Sequence, residues 1–281
     1  MRRLLVIGGS GYLGGEVLRQ ARLAGFVSIG TAHRNAGGGL LPLDLADARS
    51  VRALLDAERP DVVINTAYVQ SGDQLDAVTR DGAARAASET ARIGARFVHL
   101  STDALFDGDG QGHYRESDPP SPIAAYGLAK AEAEGLVQDA APDSLIVRTS
   151  LLYGTAAHGA QERLVLDALE NPELVAFFTD EIRSPILVTE LSRALLELAE
   201  RDDSGVLNIA GADDCDRFEF ARRIAVSLGR DPRQLRSAVS TDLGLRRPRN
   251  CSLDSSRARS LLATPLRGIR EVLPELEPTD V

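Results

Sequence analysis

A tyrosine and a lysine, Tyr126 and Lys130, stand four residues apart in the sequence YGLAK. On an α-helix this spacing places both side chains on one face. A neighbouring positive charge stabilises a phenolate, so we expect Lys130, together with a positively charged bound cofactor, to lower the pKa of Tyr126 from its ordinary value of about 10. Tyr126 would then donate or accept a proton at neutral pH. The alternative is a solvated pair, because YxxxK also arises by chance in helices.

Thr102 follows the apolar run RFVHL, which is typical of a buried strand. Open α/β sheets bind ligands at the carboxyl ends of their strands, so the Thr102 hydroxyl would lie beside a ligand. It could hydrogen-bond the same carbonyl oxygen that Tyr126 protonates. The predicted catalytic residues are therefore Thr102, Tyr126 and Lys130.

The N-terminal segment predicts the elements that position these residues. The run RLLVI suits a strand buried on both faces, and a glycine-rich turn and a helical pattern of apolar residues follow it. Glycines in this context let the backbone approach a pyrophosphate and leave the anion at a helix N-terminus. The alternative, a plain turn, is less consistent with this context. Cofactor contacts are predicted at Gly8, Ser10, Gly11, Tyr12, Leu13 and Gly14.

The second strand, FVSIGTA, leads into the residues that would select the cofactor. No acidic residue stands at its end to receive the ribose hydroxyls of NAD. Arg34 could instead bind the additional phosphate of NADP(H), because a guanidinium matches phosphate geometry. A solvated loop arginine is the alternative. Further cofactor contacts are predicted at His33, Arg34, Asp44, Leu45, Thr66, Ala67, Tyr68, Tyr126 and Lys130.

Alternating strand and helix patterns predict an α/β protein with a Rossmann-type doubly wound parallel sheet and a smaller C-terminal substrate lobe. The NADP-binding domain is expected at residues 1–152, and the mainly substrate-binding lobe at 153–281. Elements around residues 172–202 are expected to return to the first domain. The polar loop at 107–122 is interpreted as a mobile substrate cover, because it is rich in Gly, Pro and Asp.

Composition argues against several classes of protein. The formal net charge of -9 disfavours general binding to nucleic acid or anionic membranes. The apolar run before Gly8 is too short for a signal peptide or a membrane span, so a cytoplasmic protein is expected. Cys215 and Cys251 lack CxxC spacing and the histidines lack ligand spacing, so reduced thiols and no metal site are expected.

Several motifs occur in the order typical of extended short-chain dehydrogenases/reductases: GGSGYLG, LDLAD, INTAY, STD, YGLAK and RTSLLYG. Within that superfamily, STDALFDG, YRESDPPSP, DEIRSPI and RPRNCSLD resemble dTDP-4-dehydrorhamnose reductases. The resemblance implies hydride delivery from NADPH to a nucleotide-linked 4-keto-6-deoxy sugar, while Tyr126 gives its proton to the forming alkoxide. It implies that Lys130 holds the nicotinamide ribose, and that Asp103, Arg183 and Arg249 contact the substrate.

Two other functions stay open at this point. The chain also resembles the regulatory subunit of methionine adenosyltransferase, which implies an NADP-binding subunit without turnover. A related sugar-nucleotide epimerase or dehydratase is the third reading. Dehydratases of this superfamily typically carry Asp-Glu after the threonine, whereas this chain has Asp103 and Ala104, which favours a reductase. Helices at 74–93 and 122–138 resemble those that form dimers in the superfamily, so a homodimer is a further expectation.

Overall fold

The computed structural model describes residues 2–33, 37–110, 112–154 and 159–273. The strands in chain order are β1 (Arg3–Ile7), β2 (Val27–Ala32), β3 (Leu41–Pro42), β4 (Val62–Asn65), β5 (Arg96–Thr102), β6 (Leu145–Thr149), β7 (Leu152–Tyr153), β8 (Ala176–Phe178), β9 (Ile182–Arg183), β10 (Ile186–Leu187), β11 (Gly205–Ile209), β12 (Cys215–Asp216) and β13 (Arg236–Ala238). The α-helices are α1 (Tyr12–Leu23), α2 (Ala48–Glu58), α3 (Asp81–Arg92), α4 (Ala125–Ala140), α5 (Ala160–Glu170), α6 (Val188–Ala199), α7 (Arg217–Ser227), α8 (Ser256–Leu261) and α9 (Ile269–Val272).

In the described part of the chain, seven strands form one parallel sheet in the order β11–β6–β5–β4–β1–β2–β3. The chain winds outward from β1 to β3 and then returns to β4 on the other side of β1. The winding direction therefore reverses between β1 and β4, where doubly wound sheets bind ligands beyond the carboxyl ends of their strands. The predicted Rossmann-type sheet is confirmed.

Successive side chains of β1 pack in two different apolar layers, because neighbouring residues of a strand point to opposite faces of the sheet. Leu4 and Val6 pack with apolar residues of α1 and α6. Leu5 and Ile7 pack with residues of α2, α3 and α4 on the other face. Burial on both faces explains why this strand reads as an unbroken apolar run in the sequence.

The second half of the chain contributes both to the central sheet and to a separate apolar cluster. Strand β11 pairs with β6, and α6 packs on the layer that contains α1. Residues of α5, α7 and β8 form the separate cluster, and β8 pairs with β13 outside the central sheet. The domain boundary at residue 152 stays a prediction. Within the described ranges, no helix is long and apolar enough to cross a membrane.

The polar loop at 107–122 is tied to the C-terminal segment through Tyr114. The Tyr114 ring stacks on Phe106 with 4.0 Å between the ring centroids. Its backbone N–H donates to the Ser252 carbonyl at 2.9 Å, and its carbonyl accepts from the Asn208 side chain at 2.8 Å. These contacts argue against the interpretation of this loop as a mobile cover.

The helix expected at 74–93 begins with a π-helical turn, Leu75–Arg80, that continues into α3. In this turn the Thr79 hydroxyl donates to the Val69 carbonyl at 2.7 Å and accepts from the Val69 N–H at 2.8 Å. A π-helical turn inside a helix often marks a functional site. Here it fixes the segment that carries Tyr68 beside the sheet edge.

Candidate active site

The glycine turn between β1 and α1 leaves no room for side chains at two positions. Gly8 has a φ of +86°, and a Cβ there would lie 2.9 Å from the Ala67 nitrogen. A Cβ at Gly14 would lie 2.2 Å from the Gly8 carbonyl oxygen. Glycine is required where φ is positive or where backbone segments approach this closely. The resulting cradle at the N-terminus of α1 fits the pyrophosphate of a dinucleotide.

Other predicted cofactor residues of this turn have different surroundings. Ser10 is exposed, whereas Leu13 packs in the core of the sheet. Tyr12 extends toward the start of α5, because a Cβ at Gly159 would lie 2.6 Å from the Tyr12 ring. Burial raises the pKa of the Tyr12 phenol, and the Glu162 carboxylate raises it further. Tyr12 therefore joins the glycine turn to the helices of the lobe.

The end of β4 is held against its two neighbouring strands by side-chain hydrogen bonds. The Thr66 hydroxyl donates to the Ile7 carbonyl at 2.8 Å. The Asn65 amide nitrogen lies 3.2 Å from His99 Nδ1, and its oxygen accepts from the Ala67 N–H at 3.1 Å. The predicted cofactor residues Thr66 and Ala67 thus lie at the strand edge beside the glycine turn.

Three further predicted cofactor residues, His33, Asp44 and Leu45, lie beyond the ends of β2 and β3. The Asp44 carboxylate accepts from the Ala46 N–H at 2.8 Å and lies 3.9 Å from His33 Nδ1. The Leu45 side chain is buried in the core. Arg34 lies outside the described residues, so its contact with an NADP phosphate stays a prediction.

The predicted catalytic residues meet at the carboxyl end of β5. Thr102 ends this strand, and Tyr126 and Lys130 lie on α4. The Thr102 hydroxyl lies close enough to the Tyr126 phenol to act on its pKa, and Lys130 Nζ donates to the Leu100 carbonyl at 2.6 Å. The Tyr68 ring covers the pair, with its centroid 5.6 Å from that of Tyr126 and 5.8 Å from Lys130 Nζ. The structure thus brings together the residues that the sequence analysis selected for proton transfer.

Gly127 makes this meeting sterically feasible, and the sequence analysis did not recognise its role. A Cβ at Gly127 would lie 2.1 Å from the Ala104 carbonyl oxygen. Only glycine therefore lets α4 approach the short 3₁₀ turn at Asp103–Leu105, which follows β5. The signal was available as the glycine directly after the tyrosine in YGLAK.

The pKa values of the pair differ from those expected. Burial raises the pKa of Tyr126, the neighbouring Tyr68 phenol and the Asp103 carboxylate raise it further, and hydrogen bonding from Thr102 opposes the rise. Burial lowers the pKa of Lys130 to about 8, while Glu134 opposes that change. In the chain alone the Tyr126 pKa is raised, and its expected lowering by Lys130 together with a bound nicotinamide stays a prediction. Tyr126 stays protonated at neutral pH, as a proton donor requires.

Lys130 is the only lysine in the sequence, since the remaining 31 of the 32 Lys and Arg residues are arginines. Arginine keeps its charge in almost any surroundings, whereas the pKa of a lysine shifts readily when the side chain is buried. Lysine also carries a compact ammonium with three rotatable donors. This count alone would have singled out Lys130, and the sequence analysis did not use it.

Asp103, predicted to contact the substrate, lies directly beneath the catalytic residues. Its side chain is buried and accepts from the Ser150 hydroxyl at 2.6 Å. Arg183 Nε lies 3.7 Å from the same carboxylate oxygen of Asp103. Burial raises the pKa of Asp103, and the positive charge of Arg183 opposes that rise.

The two arginines predicted together for the substrate have unlike surroundings. The Arg183 guanidinium is buried and donates to the carbonyls of Ile182, Arg249 and Pro248 at 2.7–2.9 Å. The Arg249 side chain is 53% exposed and lies 3.5 Å from Asp109. Arg183 therefore ties β9 to the segment that carries Arg249, and Arg249 itself faces solvent.

The chain matches known proteins over nearly its whole length. Residues 1–278 match the family described as RmlD substrate binding domain. The spore coat polysaccharide biosynthesis protein SpsK of Bacillus subtilis is 33% identical, over 98% of this chain and 96% of its own. The dTDP-4-dehydrorhamnose reductase of Streptomyces griseus is 31% identical, over 98% and 93%. Methionine adenosyltransferase 2 subunit beta of Bos taurus is 28% identical, over 97% and 87%.

A solved structure has the same fold. The crystal structure of dTDP-4-dehydrorhamnose reductase from Bacillus anthracis in complex with NADP matches with a TM-score of 0.83, covering 96% of both chains at 23% identity. The resemblance to this group of reductases, predicted from the motifs, is confirmed by the sequence relatives. This chain belongs to the RmlD substrate binding domain family.

Proposed function

We propose that the protein is an NADP(H)-dependent reductase that acts on a nucleotide-linked 4-keto-6-deoxy sugar. The observation that carries this proposal is the meeting of Thr102, Tyr126 and Lys130 at the sheet edge that also holds the glycine turn. The reductase relative supports the substrate class, and the NADP complex of the structural neighbour supports the cofactor.

The residues present fit a dinucleotide. The cradle formed at Gly8 and Gly14 lies at the N-terminus of α1, where the backbone N–H groups of a helix attract an anion such as a pyrophosphate. Lys130 Nζ has three donors and gives one to the Leu100 carbonyl, so it can also hold ribose hydroxyls. When bound, NADPH supplies the hydride.

Tyr126 supplies the proton that a reduced carbonyl oxygen needs. Its raised pKa keeps the phenol protonated across the neutral range, and the Thr102 hydroxyl lies beside it at the end of β5. The Lys130 ammonium on the same face of α4 stabilises the negative charge that the phenol acquires as it gives up its proton. Tyr126 is thus the acid, and Lys130 stabilises its conjugate base.

The surroundings of Thr102 support a simple reductase over a dehydratase. Elimination of water needs a second group that transfers a proton, and the Ala104 methyl group cannot do so. Glu116, a carboxylate of the loop at 107–122, would have to transfer that second proton. One of its oxygens accepts from the Asn208 N–H at 3.1 Å, which gives this carboxylate a role in anchoring the loop.

The similarity to a methionine adenosyltransferase subunit favours a second candidate function. In that case the protein would bind NADP(H) without consuming it. The combination of Thr102, Tyr126 and Lys130 supports the enzyme, because a subunit that only binds has no need of a proton donor at this position.

Purified protein incubated with NADPH and dTDP-4-keto-6-deoxy-glucose tests the proposal. We expect NADPH consumption equimolar with a product that has gained two hydrogen atoms, followed by absorbance and mass spectrometry. NADPH that binds but is never consumed across a panel of nucleotide-linked keto sugars would favour the binding subunit. Conversion of dTDP-glucose to its 4-keto-6-deoxy product without net NADPH consumption would establish the dehydratase instead.

A further inference from the structure

Arg217 places a positive charge near the catalytic residues at a position where the helix itself disfavours one. It is the first residue of α7, and its backbone N–H donates to the Glu181 carbonyl at 3.0 Å. A cation at a helix N-terminus opposes the helix dipole. Two residues before Arg217, Cys215 of β12 pairs with Arg183 of β9, whose Nε lies 3.7 Å from the Asp103 carboxylate. This pairing places the start of α7 close to the charged groups beneath the site.

The neighbouring carboxylates already have other arginine partners. Asp103 lies 3.7 Å from Arg183 Nε, and Glu181 forms an ion pair with Arg247. The Arg247 guanidinium also lies over the Phe178 ring, at 5.2 Å from its centroid. The carboxylates of Asp103 and Glu181 therefore each have an arginine other than Arg217 beside them.

Arg217 itself is paired with a neutral side chain. Its Nη2 donates to Gln161 Oε1 at 2.9 Å, and Gln161 lies at the start of α5. Burial and the positive charge of Arg183 lower the pKa of Arg217 to about 10, although the carboxylates of Glu181 and Asp103 oppose this change. A partly buried cation beside another cation, with an amide as its partner, is stabilised when an anion binds.

We propose that Arg217 binds the diphosphate of the nucleotide-linked substrate, an assignment that rests on the proposed function. The diphosphate is the group of that substrate that is negatively charged at neutral pH, and a guanidinium matches its geometry with paired hydrogen bonds. Arg183 is less suited, because its N–H groups donate to backbone carbonyls. Arg249 is exposed and lies near Asp109.

Calorimetric titration with thymidine diphosphate and with thymidine tests this assignment without turnover. Arg217→Gln should weaken thymidine diphosphate binding by about 10- to 100-fold, the range for a lost charge-assisted contact. Binding of thymidine and of NADPH should stay unchanged. Arg230→Gln is the matched control, because it removes the same charge from an exposed position three residues after the end of α7 and should bind like the wild type.

Gln161→Glu separates ligand binding from a structural role of Arg217. The new carboxylate would neutralise Arg217 in place, so it should weaken thymidine diphosphate binding while the protein becomes more stable. If Arg217 has only a structural role, stability rises and thymidine diphosphate affinity does not change, which overturns the assignment. This variant keeps the arginine, so it gives an answer even if Arg217→Gln does not fold.

Three further results would overturn the Arg217 assignment: no binding of thymidine diphosphate to the wild type, equal losses for thymidine and its diphosphate in Arg217→Gln, or an equal loss in the Arg230→Gln control. A different result would contradict the proposed reductase function without contradicting the Arg217 assignment. If the wild type binds thymidine diphosphate through Arg217 but reduces no keto sugar, the reductase proposal is contradicted and the Arg217 assignment is supported.

Discussion

Replacing Lys130 with methionine removes a buried ammonium and keeps most of the apolar side chain. Burial lowers the pKa of Lys130 from 10.5 to about 8, and a difference of this size corresponds to about 3 kcal/mol. At neutral pH this amount is subtracted from the free energy of unfolding, because Lys130 is then charged and only 3% exposed. Losing the hydrogen bond to the Leu100 carbonyl costs about 1 kcal/mol. Without cofactor, Lys130→Met should therefore be about 2 kcal/mol more stable than the wild type, and it should lack activity.

The difference in the free energy of unfolding between Lys130→Met and the wild type should become smaller as the pH rises. Because folding lowers the pKa of Lys130, the unfolded chain binds more protons than the folded one between pH values of about 8 and 10.5. The contribution of Lys130 to the free energy of unfolding therefore rises with pH across this window. The stability advantage of Lys130→Met should be full below it and should disappear as the pH rises through it.

A chain with a single lysine allows the pKa itself to be measured without resonance assignment. Protein labelled with ¹³C at the lysine Cε gives one side-chain signal, and its titration should have a midpoint near pH 8. Urea unfolding of the wild type and Lys130→Met at neutral and alkaline pH gives the accompanying free energies. A midpoint near 10.5, or a Lys130→Met protein less stable than the wild type at neutral pH, would refute the reasoning.

Three other substitutions have expected outcomes. Gly14→Ala places a methyl group 2.2 Å from the Gly8 carbonyl oxygen, so NADPH affinity should fall by about tenfold or more in a fluorescence titration; unchanged affinity would contradict the cradle. Glu134→Leu leaves the buried Arg148 without its partner at 2.8 Å and should lower the free energy of unfolding by about 3–5 kcal/mol, a loss that Arg148→Met in the same chain should largely reverse. Arg34→Ala should narrow the preference for NADPH over NADH by about 1–3 kcal/mol, whereas equal calorimetric affinities of the wild type for both cofactors would rule out this role.

Local patterns predict the elements that place the catalytic residues. The apolar run of β1 indicates a buried strand, and the glycines after it indicate a close backbone approach. Both signals lie within a short stretch of chain, so the sequence predicts β1, the turn and α1. Thr102 was placed at a strand end for the same reason. The role of Gly127 depends on its contact with Ala104, which comes from the meeting of two separate elements.

Properties set by distant parts of the chain were predicted less well. The spacing of Tyr126 and Lys130 shows that they are neighbours on α4, but not that burial dominates both pKa values. The loop at 107–122 has the composition of a mobile segment, yet Tyr114 is held by residues far along the chain. Arg217 was missed because its surroundings combine α5, α7 and the end of β5.

The role of Tyr126 is tested most directly by comparing Tyr126→Phe with the wild type in NADPH binding and in keto-sugar reduction. Tyr114→Phe serves as the control, because it removes a phenol hydroxyl that donates to Asp107 away from the catalytic residues. Tyr126→Phe should bind NADPH as the wild type does and lose turnover by about a hundredfold or more, since only the proton donor is missing. Turnover by Tyr126→Phe at the rate of the wild type and the Tyr114→Phe control would contradict proton donation by Tyr126.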